Sequence, residues 1–239
     1  MARLRITRLG HGGVLYRSPG EKWVWVDRWS RAPTYAAPEQ PWRVDVVAPT
    51  HGHFDHVGDD AADVVELAGM AADAQPATVV CSHEMSVYLA SRGVEAIGMN
   101  KGGTVEAAGI GFTMVSAEHT GGVTITGAGP AATREMGCWG WVLRFEDGTT
   151  VYHSGDTDLF GDMALVRERW TPTVAVLPIG GHFTMGPADA ARAVALVGAR
   201  TVIPVHYGTF PILTGTPAEL ADACDAEVVA LEPGQTWEA

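Results

Sequence analysis

The chain carries two kinds of apolar segment. Short runs rich in Val, Ile, Leu and Trp recur throughout: Leu4 to Leu9, Gly13 to Tyr16, Trp23 to Val26, Val44 to Ala48, Thr78 to Cys81, Gly111 to Val115, Trp139 to Phe145, Val151 to His153, Thr173 to Leu177, Thr201 to Val205 and Val228 to Leu231. Their length and their β-branched and aromatic content predict strands. Between some of them lie Ala-rich stretches that predict helices: Asp59 to Ala72, His83 to Ser91, Leu159 to Glu168, Pro187 to Val197 and Pro217 to Ala223. Pro187 and Pro217 suit the first helical turn, where the missing N–H costs nothing.

Successive strands dominate the first half, and helix alternates with strand in the second. That order predicts two sheets packed face to face with helices outside, an α/β four-layered αββα sandwich. No repeat of roughly 20–50 residues is visible, which excludes a solenoid or propeller. No Pro/Gly/Ser-rich linker or charge run divides the 239 residues, so a single domain over 1–239 is expected. Two long loops suit a lid or wall: Trp29 to Trp42, with Pro33, Pro38 and Pro41, and Glu118 to Glu135, with Gly121, Gly122, Gly127, Gly129 and Pro130.

Composition narrows the picture. With 46% hydrophobic and 18% charged residues, the chain can bury a sizeable core and is unlike a disordered one. It has no apolar run of about 18 residues and no basic-then-apolar N-terminal signal, which predicts a cytoplasmic protein without a membrane partner. Cys81, Cys138 and Cys224 are far apart and form no C-x-x-C pair, so reduced thiols are expected. A formal net charge of -12 disfavours nucleic acid as the main partner and leaves a small-molecule substrate.

The chemistry gathers in Thr50-His-Gly-His-Phe-Asp-His56, just after the apolar run Val44 to Ala48. In extended chain, side chains at i and i+2 point the same way, so His51 and His53 can offer nitrogens to one ion while Asp55 and His56 reach a neighbouring point. Chance is a poor account of the cluster, because with nine histidines an H-x-H-x-D-H string arises in about one such chain in a thousand. Imidazole and carboxylate together suit zinc, manganese or iron, whereas calcium or magnesium would take oxygen ligands alone. A pair of ions needs further donors, and three others follow predicted strands: His119 in Ser-Ala-Glu-His-Thr, Asp156 after Tyr152-His-Ser-Gly, and His206 after Val202-Ile-Pro-Val.

THGHFDH, EHT, HSGDTDLFGDM and PVHYGTFP, in that order, resemble the motifs of the metallo-β-lactamase-fold superfamily. LFGDM, PIGGHFTMGP and HYGTFP are most similar to a bacterial group of metal-dependent hydrolases allied to ascorbate-6-phosphate lactonase and, more distantly, to the phospholipase D acting on N-acyl-phosphatidylethanolamines. The resemblance runs from Gly10-His11 to the HYGTFP segment. It implies the αββα fold and two divalent ions: one on His51, His53 and His119, the second on Asp55, His56 and His206, with Asp156 bridging. It also implies a hydrolase using a metal-bridging hydroxide, with Asp55 placed to hold a proton, and a homo-oligomer is consistent with it.

Other residues carry weaker expectations. His182, in Gly-Gly-His-Phe, sits near the metals in the resembling group and is a candidate to bind substrate or donate a proton, with loop packing as the alternative. His11 lies in the turn between the first two strands, at a position that in related sequences belongs to a G-H-[SA] motif, while Gly12 and Gly13 read as turn residues. Tyr207 is a candidate hydroxyl donor to an oxyanion, with simple packing equally open. Lys101 in the Asn100-Lys-Gly-Gly turn could meet an anionic substrate, and Trp29 and Trp42 could face a substrate or partner subunit. The function expected is hydrolysis of a small ester, lactone or phosphoester; phosphodiesterase or nuclease chemistry and a non-catalytic metal-binding role are the alternatives.

Overall fold

The strands of the second half show how one sequence run serves two cores. Along Trp139–Arg144, Trp139, Trp141 and Leu143 pack into one apolar cluster and Val142 into another; along Val174–Pro178, Val174 and Val176 divide in the same way from Ala175 and Leu177. Because side chains alternate across a strand, a run that is apolar at every position is buried on both faces. The first cluster joins this sheet to the N-terminal one, through Ile6, Leu15, Trp25, Phe112 and Trp141 among others. The second lies beneath the helices Met163–Trp170, Pro187–Val197 and Pro217–Ala223.

The computed structural model describes residues 2–38, 42–72, 75–126 and 132–239. One seven-stranded sheet runs in the order Thr236–Glu238, Arg5–Gly10, Gly13–Arg17, Trp23–Val26, Val46–Val47, Thr78–Ser82, Ala96–Met99. The other runs Glu227–Val228, Thr201–Val205, Val174–Pro178, Thr150–His153, Trp139–Arg144, Ile110–Ser116, Thr104–Ala107. Each is antiparallel in one half and parallel in the other. Helix His83–Ala90 packs on the outside of the first sheet, which completes the αββα sandwich.

Differences from the expected elements have local causes. The helix expected over 59–72 spans only Ala62–Ala68, because Asp60 and Ala61 hold φ of 55° and the Asp60 carboxylate accepts the Thr126 N–H at 3.0 Å. Ser, Asp and Asn side chains compete with the helix ladder in this way. The helix expected from Leu159 starts at Met163, since Asp158 Oδ1 takes the Leu159 N–H at 2.7 Å. The Glu118 to Glu135 loop holds a hairpin, Gly122–Ile125 against Ala132–Glu135. Its second strand is solvent-facing and polar, so no apolar alternation announces it. Pro41, Gly127, Gly129 and Pro130 of the two expected loops lie outside the described residues. No described helix is long and apolar enough to cross a membrane.

The sheets are tied together next to the histidine segment. Trp141 Nε1 donates to the carbonyls of Ala48 and Pro49 at 3.2 and 3.1 Å, and the Trp139 N–H donates to Thr50 O at 3.0 Å. The second sheet thereby holds the chain that leads into His51.

Candidate metal centre

The side chains of the histidine segment follow from the chain's path. Val46–Val47 ends and the chain runs through Thr50 into His51, which makes an isolated bridge with Cys138. His53 stays extended (φ -64°, ψ 147°) and caps a single helical turn, Phe54–Val57. That turn carries Asp55 and His56, and brings the His56 ring centroid to 4.1 Å from that of His51. His119 arrives from the strand Ile110–Ser116, Asp156 from Thr150–His153 and His206 from Thr201–Val205. The His119 loop is stapled to the Asp156 loop, since the Glu118 N–H donates to Thr157 Oγ1 and the Asp158 N–H to Glu118 O, both at 3.0 Å.

Two main donor sets result among the described residues: His51, His53 and His119 form one, and Asp55, His56, His206 and His11 the other; a third grouping, Asp27, His51 and His56, overlaps both, and the donor atoms of each lie within 4.8 Å of one another. Asp156 Oδ2 lies between them, 4.0 Å from His51 Nε2, 3.7 Å from His119 Nε2, 3.2 Å from His56 Nε2 and 3.0 Å from His206 Nε2. The nitrogens of His56 and His206 are close to that oxygen but out of hydrogen-bonding alignment, and both are buried without a hydrogen-bond partner. Buried polar atoms are nearly always satisfied. A cation between them and the carboxylate satisfies all three, so the donor set fits divalent metal ions.

A β-lactamase superfamily domain model matches residues 19–207 of the chain. The chain belongs to the metallo-β-lactamase superfamily. It is 42% identical to a UPF0173 metal-dependent hydrolase of Chloroflexus aurantiacus, over 97% of this chain and 96% of that one. It is 42% identical to a relative of the same name in Koribacter versatilis, over 98% and 97%. Among solved structures, Igni18, a metallo hydrolase of the archaeon Ignicoccus hospitalis, superposes with a TM-score of 0.81 at 31% identity over 100% of both chains. This superfamily member is a metal-dependent hydrolase, and its kin are not confined to bacteria.

Two residues of the superfamily member's centre carry more weight than the sequence suggested. Asp27, directly after Trp23–Val26, is buried; its Oδ1 accepts the Thr50 N–H at 2.8 Å, and its Oδ2 accepts the Thr50 hydroxyl at 2.6 Å and lies 3.0 Å from His56 Nδ1. Sequence reasoning missed it; the available signal was a lone carboxylate ending the apolar run Trp-Val-Trp-Val. His11 is fully buried, with Nε2 3.0 Å from Asp55 Oδ2 and its ring centroid 3.9 Å from that of His206. Gly12, beyond its role in the turn, is needed for room: a Cβ there would lie 2.7 Å from the His56 ring. His11, Asp27 and His206 all hold positive φ, 47°, 51° and 56°, and the His206 N–H bonds His11 O at 2.9 Å. Such backbone costs on the order of 1 kcal/mol or more per residue and persists where surrounding contacts enforce it.

The electrostatics of the hydrolase's centre follow from buried imidazoles packed around buried carboxylates. Burial pushes His11 down to about 4, against its hydrogen bond to Asp55, and it pushes His51 well below the ordinary histidine value. Burial likewise lowers His53 and His119. For His206 and His56 burial, the largest single effect, acts downward too, but the facing carboxylates together outweigh it: Asp156 and Asp55 raise His206 to about 9, and Asp156 and Asp27 raise His56 well above its usual range. Burial opposes ionisation of Asp55 and Asp156, yet His11 and His206 hold Asp55, and His206 and His56 hold Asp156, far below the carboxylate range.

Other expected residues fall elsewhere. Tyr207 does not line the cavity: its hydroxyl accepts from Arg8 Nη1 at 3.2 Å and the Arg8 guanidinium stacks 4.3 Å from its ring, which leaves the packing reading. His182 is exposed and stacks edge-on against Phe183; Phe183, not His182, lines the cavity. Lys101 lies in a separate hollow beside Phe160 and Trp170, with Nζ 3.5 Å from Ala117 O. His153 pairs with the Tyr16 hydroxyl at 2.7 Å in the core. Trp42 packs on Trp25, whereas Trp29 stands behind the cavity wall against Phe54 and Phe210.

Proposed function

We propose that the protein is a dinuclear hydrolase of small esters, lactones or phosphoesters, with one ion on His51, His53 and His119, a second on Asp55, His56 and His206, and Asp156 shared. The observation that carries this reading is the position of Asp156 Oδ2 within 4.0 Å of a ring nitrogen from each histidine set. Zinc, manganese and iron all match imidazole and carboxylate donors. Bound there, divalent ions bring the pKa of water towards about 7 and polarise a substrate oxygen.

The chain's own residues supply orientation. The network assigns the protons: Thr50 Oγ1 gives its hydrogen to Asp27, so at 3.0 Å it accepts from His51 Nδ1–H, and Asp27 Oδ2 accepts from His56 Nδ1–H. Both rings then turn an unprotonated Nε2 towards the cluster, where His51 Nε2 lies 3.0 Å from His53 Nδ1, as neutral metal ligands require. Asp55 is held ionised by His11 and His206, which favours its role as a ligand over that of a proton store. His11, anchored on Asp55 Oδ2, keeps that carboxylate turned towards His206.

The test is metal removal. Protein stripped with a chelator should lose hydrolysis of ester, lactone and phosphodiester probes, and Zn²⁺ or Mn²⁺ should restore it. Full turnover by the stripped protein would defeat the reading.

A further inference from the structure

The cavity above the metal centre has a volume of about 610 Å³, within the range of small-molecule sites. Its floor is formed by His53, Asp55, His119, Asp156 and His206. Its walls are largely apolar, Phe54, Phe183, Phe210 and Ile212, with Thr120 the one other residue of the described lining. Phe54, Phe183 and Ile212 are 42%, 54% and 46% exposed, and they account for three of the six large hydrophobic side chains most open to solvent among the described residues. Grouped apolar side chains left open in this way mark binding surfaces. Trp29 braces two of the walls, edge-on to Phe54 with ring centroids 5.5 Å apart and tilted against Phe210 at 5.8 Å.

Charge tells against an anionic ligand. No Lys or Arg is among the described residues lining the cavity. The cations that might have served are engaged elsewhere: Arg28 bonds Glu66 and Tyr35 and pairs with Asp63, while Arg8 bonds Leu231 O and Tyr207. Asp55 and Asp156 at the floor, with Asp27 behind His56, would balance most of the charge of two divalent ions. That leaves about one positive charge, enough for the single negative charge that develops on an acyl oxygen and too little for a phosphomonoester dianion with no basic side chain to help.

We infer that the substrate is a neutral carboxylic ester or lactone whose aliphatic or aryl body lies against Phe54, Phe183, Phe210 and Ile212. This rests on the hydrolase reading above and narrows it. Hydrolysis adds one water across the acyl C–O bond: the hydroxyl goes to the acyl carbon, and the proton ends on the departing oxygen.

Two measurements on the Zn²⁺- or Mn²⁺-loaded protein test it. In the first, kcat/KM for p-nitrophenyl acetate, butyrate and hexanoate should rise about three- to fourfold per added methylene, on the order of a hundredfold across the series. Phe183→Ala and Ile212→Ala, both at exposed positions, should flatten that slope. A flat series in the wild type, or a higher kcat/KM for bis(p-nitrophenyl) phosphate than for the hexanoate, would overturn the inference. The second needs no turnover: in calorimetric titration, 2-octanone should bind and Phe183→Ala should weaken it about fivefold or more. Absence of 2-octanone binding overturns the inference whether or not any probe is hydrolysed, whereas ketone binding without hydrolysis of any probe would sink the hydrolase reading and leave the cavity's preference standing.

Discussion

Asp27 Oδ2 and His56 Nδ1 are 3.0 Å apart in a buried pair, and the same carboxylate holds Thr50, whose hydroxyl reaches His51. One side chain therefore orients a histidine of each donor set. Carboxylates behind metal-binding histidines are typically worth about 10- to 100-fold in metal affinity. Asp27→Ala should weaken binding at both positions by that order in a competition titration against a chelating dye. Unchanged affinity would show that the pair only fills space.

The ion-free protein should release protons when it takes up metal. His206 at about 9 and His56 well above its ordinary value are both protonated at neutral pH, and both must be neutral to ligate. Calorimetry at pH 7 in buffers of different ionisation enthalpy should count about two protons released on loading, from these two rings.

The same shifts set a stability profile with a definite sign. A histidine whose folded value is raised contributes stability that is complete below about 6.5 and is lost as pH rises through about 9, worth roughly 3 kcal/mol for His206. The ion-free protein should thus melt at lower temperature at pH 10 than at pH 6.5. Metal affinity should run the other way, rising over that window. Asp55 and Asp156, held far below their ordinary value, contribute stability that is present above about pH 4 and lost on acidification. An ion-free melting temperature that climbs from pH 6.5 to 10 would contradict this electrostatic picture.

Gly12→Ala introduces a Cβ that would sit 2.7 Å from the His56 ring. Overpacking of this kind costs about 1–3 kcal/mol, and the contact falls on the His56 ring itself. The variant should remain folded and lose affinity chiefly for the ion held by His56, seen as one weakened step in a two-step metal titration. Equal weakening of both steps would place the strain elsewhere.

Tyr207→Phe and His182→Ala separate packing from chemistry. Because the Tyr207 hydroxyl meets Arg8 and His182 stands outside the cavity lining, kcat on an ester probe should stay within about twofold in both variants. Tyr207→Phe should cost about 1 kcal/mol of stability from the lost hydrogen bond. A hundredfold fall in kcat would restore the hydroxyl-donor role.

Much of this molecule is legible in its sequence because burial on both faces leaves unbroken apolar runs. Trp23–Val26, Thr201–Val205, Pro187–Val197 and Pro217–Ala223 have the bounds that periodicity and proline placement suggest. Edge strands such as Ala96–Met99 and Thr104–Ala107 were silent, since half their side chains face water and nothing forces alternation. The seven candidate donors draw notice in the sequence because their segments follow strands and metal chemistry restricts the residue types, and the fold gathers them. Asp27 does not: an aspartate after a strand looks like any turn residue until the fold brings Thr50 and His56 to it. Tyr207 and His182 differ for the opposite reason: they are next in sequence to cavity residues, yet the chain turns there, at φ of 56° at His206 and 57° at His182, and neither is among the described residues lining the cavity.

The central claim is two ions that share Asp156. Anomalous scattering from crystals grown with Zn²⁺ or Mn²⁺ tests it most directly. The account predicts two peaks about 3.5–4 Å apart, one bonded to His51, His53 and His119, the other to Asp55, His56 and His206, each touching Asp156. A single peak, or one ion drawing ligands from both histidine sets, would contradict it.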